Sequence, residues 1–114
     1  MQRKDVNGMT KKIKVAIKRP DSKLYLTNVS NSLKNLQNIV GGHIETITLC
    51  SDLVIICNED RMINNLPYNL TICGLQFFGT ILFAGVKQDE FFDIPCAFKE
   101  LKRLLGMHNE EESK

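Results

Sequence analysis

The stretch LQNIVGGHIE, residues 36–45, joins two different periodicities through a pair of glycines. Upstream of it, Leu33, Leu36, Gln37 and Val40 recur at three- and four-residue spacing, and Ile39 widens the apolar stripe. That spacing predicts a helix over 32–39, with Ser30 or Asn31 as a candidate cap. Downstream, HIETITLC directs Ile44, and with it Ile47 and Leu49, inward as a strand does. Gly41 suits the left-handed residue that stops a helix, and Gly42 lets the chain reverse into the strand. A helix feeding directly into a strand, among apolar segments of mostly strand length, decides the fold class as α+β.

The flanks follow from this centre. KIKVAIKRP alternates Lys12, Lys14 and Lys18 with Ile13, Val15 and Ile17, a strand with one wet and one buried face that Pro20 ends. KLYLTNV follows the turn-like RPDS and is its expected hairpin partner. DLVIICN is a continuous apolar run, read as a strand joined to HIETITLC near CSD, the two forming the centre of the sheet. NEDRMINNLPYNLTICG, rich in Asn and carrying Pro67, has the composition of a long loop, expected over 58–76. LQFFGTILFAGV reads as one strand bent at Gly79. PCAFKELKRLLGM reads as a terminal helix with Phe98, Leu101, Leu104 and Leu105 on one face and Gly106 as its stop.

The chain of 114 residues, 43% of them hydrophobic, suits one core and not two. The expected organisation is a flexible basic terminus over 1–11, a single compact α+β domain over 12–106 and a flexible acidic tail over 107–114. The domain is expected to hold a mostly antiparallel or mixed sheet, a helix after the first hairpin and a C-terminal helix. The net charge of +2 conceals a basic front and an acidic end. No apolar run reaches membrane-spanning length and no secretory signal opens the chain, so a cytoplasmic location is expected, with no membrane contact. In that compartment Cys50, Cys57, Cys73 and Cys96 read as small buried hydrophobes, without a Cys-x-x-Cys pair or metal-ligand spacing. The glycosylation patterns at Asn28 and Asn69 carry no weight without export.

No phosphate loop, dinucleotide fingerprint, zinc-protease helix or nucleophile elbow is present, so no catalytic residue, cofactor or metal is assigned and the chain is read as non-enzymatic. His43 and the carboxylates Glu45 and Glu59 lack a partner pattern that would make them a catalytic set. A binding role uses the same residues more simply. Exposed amides near Gly41 and Gly42, the side-chain amides of Asn58, Asn65 and Asn69, and the basic strand residues Lys14 and Lys18 are candidates to hold an anionic ligand. The candidate ligand- or partner-binding set is therefore Gly41, Gly42, His43, Glu45, Asn58, Glu59, Asn65 and Asn69. Phe77, Phe78, Phe91 and Phe92 are candidate anchors for a protein partner wherever they are exposed.

The spaced residues Leu33, Leu36, Gln37, Val40, Gly41, Gly42, Ile44 and Glu45, then Asn58-Glu59, Leu66-Pro67 with Asn69, and Gly79 form a pattern. It resembles that of an uncharacterised small-domain family found in phages, plasmids and related mobile elements of bacteria. The likeness covers residues 13 to about 86 and implies a genomic setting, with no activity attached. What it implies is an accessory protein that counters host defence by binding and blocking a host protein. The alternative is an oligomer that sequesters a small phosphorylated or nucleotide-like ligand. A nucleic-acid-binding regulator is a weaker reading, because no aromatic residues interleave with the basic front.

Overall fold

The computed structural model describes residues 11–60, 62 and 65–107. The expected flexible terminus and acidic tail lie, apart from Lys11 and Met107, outside the described residues. The elements run β1 (Lys12–Lys18), β2 (Tyr25–Ser30), α1 (Leu33–Val40), β3 (Ile44–Cys50), β4 (Leu53–Asn58), β5 (Tyr68–Ile72), β6 (Leu75–Phe78), β7 (Ile81–Lys87), β8 (Glu90–Phe92) and α2 (Phe98–Leu104). The main sheet has the order β2-β1-β7-β4-β3, every neighbouring pair antiparallel, with β8 added beside β7. This is the α+β class expected from the sequence.

Both faces of the sheet are covered. On one face Ile13, Val15, Ile17, Val54, Ile56, Leu82 and Ala84 pack against Leu36 and Val40 of α1. On the other, Ala16, Leu53, Ile55, Cys57, Ile81 and Phe83 pack against Leu101 of α2 and against Ile72 and Phe77 of the β5–β6 hairpin. Strands β4 and β7 are therefore buried on both faces, which is why their sequences are continuous apolar runs. Helix α1 is capped by Ser32, whose Oγ accepts from the Asn35 N–H at 3.1 Å. The cap is thus Ser32 and neither the expected Ser30 nor Asn31.

Three expectations need correction. The expected loop over 58–76 contains β5 and the start of β6, which form a separate two-stranded sheet. They turn through Cys73 and Gly74, with φ of 51° and 83°, the pair of left-handed residues that a tight hairpin requires. The expected single strand bent at Gly79 is two strands in two sheets. Gly79 has φ 79°, and its N–H donates to Pro67 O at 2.7 Å, so the chain leaves one sheet there and enters the other. Finally, of the two strands expected at the centre, β4 is interior and β3 lies at the edge.

Strand β8 has no counterpart in the sequence reading. It fills the place that β1 vacates beside β7: β1 pairs with Ile81 to Phe83, and β8 pairs with Gly85 to Lys87. Beyond β8, Asp93 Oδ1 accepts the Lys14 N–H and the Ile94 N–H donates to Lys14 O, each at 2.8 Å. Gly85 makes this close approach possible, since a Cβ there would collide with the Asp93 carbonyl. Gly85→Ala is expected to cost about 1–3 kcal/mol through this overpacking, measured by urea unfolding. A substitution without cost would mean that β8 and residue 93 do not lie against β7.

Candidate functional site

The two glycines and Asn58 form a closed knot. Gly41 sits at φ 83°, ψ 24° and stops α1 as expected, but both glycine N–H groups donate to Gln37 O, at 2.8 and 3.0 Å. They are therefore not the exposed amides that an anion would need. Asn58 is only 1% exposed; its Nδ2 donates to Val40 O at 3.1 Å and its Oδ1 accepts the Asp60 N–H at 2.7 Å. A Cβ on Gly42 would stand 2.8 Å from that Nδ2. The second glycine thus clears the path by which the Asn58 amide reaches the end of the helix.

Asn69 does comparable work on the other face. It is 8% exposed, and its Nδ2 donates to Lys18 O at 2.9 Å and to Gly79 O at 2.7 Å. One side-chain amide therefore ties the base of the β5–β6 hairpin to the end of β1 and to the turn before β7. At that turn a Cβ on Gly79 would lie 2.8 Å from Leu66 Cδ1. Lys18, expected on the wet face of β1, is 8% exposed, and its Nζ donates to Arg19 O at 2.7 Å.

The remaining candidates do not join these amides in one pocket. The register of β3 against β4 places Ile44 opposite Asn58, and the Glu59 N–H donates to His43 O at 2.8 Å. His43 and Glu59 therefore lie across from each other, with Glu45 two residues along the same face, and all three are exposed. Asn65 is exposed, with φ 57°. A shallow concavity of about 330 Å³ at the end of α1 takes in Gly41, Gly42 and His43, with Gln37, Asn38 and Asp60. The candidate set thus divides into buried amides that fasten backbone, an exposed rim, and a loop residue.

The cysteines follow the expectation in part. Cys57 is buried and Cys96 half-buried, but Cys50 and Cys73 are exposed, and all four are free. Burial pushes the Cys96 thiol up, and Cys50, Glu100 and Asp52 push it the same way. Both effects disfavour the thiolate, the form in which a cysteine acts as a nucleophile.

A larger concavity lies at the opposite end of the sheet. It has a volume of about 380 Å³, with Ile13, Val86, Phe92 and Pro95 as apolar lining and Lys11, Lys12 and Lys87 among its walls, together with Asp52 and Asp93. Lys87 Nζ lies 5.7 Å from the centre of the Phe92 ring. Of the four candidate anchors, Phe77 is fully buried in the core, Phe78 and Phe91 are half-buried, and Phe92 is exposed. The sequence offers the lysines and Phe92 separately; only the unexpected strand β8 brings them together.

If Asn58 and Asn69 serve the fold, Asn58→Ala and Asn69→Ala each lower the unfolding free energy by about 2–4 kcal/mol, because buried backbone groups lose their partners. Urea unfolding measures this. Values within about 0.5 kcal/mol of the parent would show that the amides are not fastening the backbone.

Among the described residues, no group of three or more His, Cys, Asp or Glu is placed to hold a metal ion, and no helix is long and apolar enough to cross a membrane. No curated protein and no solved structure matches the chain. A family model described as a domain of unknown function, DUF3846, matches residues 13–106, from the second residue of β1 to the end of the turn after α2. The chain belongs to this uncharacterised DUF3846 family.

Proposed function

We propose that this chain is a non-enzymatic accessory protein of a phage or related mobile element that counters host defence by binding a host protein and blocking it. The genomic setting comes from the sequence resemblance. The observation that carries the binding role is the cleft around Phe92. An exposed aromatic ring on an apolar floor, with three lysines against two aspartates in the lining, suits an apolar anchor side chain flanked by carboxylates. Burying the anchor supplies affinity, and the lysines set orientation and attract an acidic surface.

The same cleft also favours a second reading, sequestration of a small phosphorylated or nucleotide-like ligand. Its volume falls within the range of small-molecule sites, and its lysines would face the anionic group. The Nδ2 groups of Asn58 and Asn69, first expected to face such a ligand, donate to backbone carbonyls instead, and Asn58 Oδ1 accepts the Asp60 N–H.

The test is capture of host polypeptides from a bacterial lysate on the immobilised chain, compared with a Lys87→Glu, Phe92→Ala double variant of unchanged thermal stability. One stoichiometric polypeptide is expected, with retention at least tenfold weaker in the variant (about 1.4 kcal/mol). The purified partner should also lose its own activity when the parent chain is added. Equal capture by both chains would mean that the cleft does not hold the partner. A stoichiometric small anion found by native mass spectrometry, and lost in the variant, would replace occlusion by sequestration.

A further inference from the structure

We infer that the outer edge of β2 pairs with β2 of a second copy of this chain, across a two-fold axis at Thr27, to form a symmetric dimer with one continuous sheet. This interface is independent of the role proposed for the Phe92 cleft.

The backbone register identifies which groups on β2 are open. The Asn31 N–H donates to Lys11 O at 2.8 Å, so that pair faces inward. Pairs alternate along an antiparallel ladder, hence Val29, Thr27 and Tyr25 also turn their backbone groups toward β1. The other side of β1 agrees, because Lys14 turns its N–H and C=O toward Asp93 and Ile94, away from β2. Leu26, Asn28 and Ser30 therefore point their backbone groups outward, where no described strand meets them. Ser30 O already accepts from Asn35 Nδ2 at 2.9 Å, which leaves Leu26 and Asn28 with both groups open.

The two edges of the sheet differ. Edge β3 carries Glu45 and an irregularity between Thr48 and Cys50, devices that discourage pairing. Edge β2, YLTNVS, has no charge, no proline and no break in register, and it exposes Tyr25 and Leu26 at 37% each. One open edge and one guarded edge favour a closed pair over an extending fibre.

The strand is complementary to itself. With Thr27 on the axis, Leu26 faces Asn28 of the second copy, and each residue of that pair has both backbone groups open. Tyr25 then meets Val29 of the second copy and Thr27 meets its own equivalent, an aromatic with a β-branched side chain and a Thr–Thr pair, both favourable across antiparallel strands. Moving the axis to Asn28 would set Leu26 against Ser30, whose carbonyl is taken. Lys12 and Lys14 stand one strand inside the edge. Lys14 of one copy and Lys14 of the other would be three strand spacings across and two residues along, about 16 Å apart, beyond the screening length of about 8 Å at physiological salt.

The experiment is mass measurement of the full chain by light scattering and native mass spectrometry over a concentration series. A species of twice 13.0 kDa is expected, dissociating on dilution. Asn28→Pro removes an outward donor and no inward one, and should weaken the dimer by about thirtyfold. Thr27→Lys and Thr27→Glu should each be monomeric alone and form a one-to-one heterodimer when mixed, with circular dichroism unchanged. A parent chain that stays monomeric at millimolar concentration overturns the inference. So does a dimer that all three variants leave intact, or a Lys–Glu mixture that does not pair.

Discussion

Strands β4 and β7 bury every residue from Leu53 to Asn58 and from Ile81 to Gly85, and that double burial is the constraint from which the rest of the structure follows. A sheet with apolar side chains on both faces needs two covers. Helix α1 supplies one, and α2 with the β5–β6 hairpin supplies the other. Neither cover is large: α1 has 8 residues, α2 has 7, and the hairpin strands have 5 and 4. Elements this short have little stability of their own, so each must be fastened to the sheet where the chain enters or leaves it.

The polar residues that give the sequence its pattern do that fastening. Asn58 holds the end of α1 through Val40 O and turns the chain through the Asp60 N–H. Asn69 holds the hairpin to β1 and to Gly79. Gly42 and Gly79 are glycines because a Cβ would intrude on Asn58 Nδ2 and on Leu66. Spaced polar residues of this kind are easily mistaken for a ligand site, since buried amides and glycines also build such sites. What separates the cases is where the donors point, and here they point at carbonyl oxygens of neighbouring elements. The surfaces proposed for binding lie elsewhere, in the Phe92 cleft and along β2.

The legible parts of the fold are those where periodicity acts alone. The alternation of lysines with Ile13, Val15 and Ile17, the stripe of α1, the stop at Gly41 and the apolar run of β4 each specify their element locally. The missed parts turn on tight turns without the usual dipeptides. Cys73-Gly74 closes the β5–β6 hairpin, and Gln88-Asp89, with φ of 53° and 68°, closes β7–β8 without any glycine. A reading that looks for Asn-Gly or Asp-Gly passes over both. Because β8 escapes it, so does the cleft that β8 helps to wall. Asn58 and Asn69 are legible as special positions but not as buried ones, since their burial depends on carbonyl groups supplied by distant strands.

The glycine pair and the two buried asparagines are bonded into the framework and do not present a ligand-ready surface. Residue-resolved hydrogen exchange of the ligand-free chain by NMR tests this most directly. The N–H groups of Gly41, Gly42, Asp60 and Gly79, each bonded to an oxygen within the chain, should exchange slowly, in step with the core amides of β4 and β7. Fast exchange at Gly41, Gly42 and Asp60, at the rate of an open loop, would mean that these amides are free in solution, and would return the glycine turn to the candidates for a binding site.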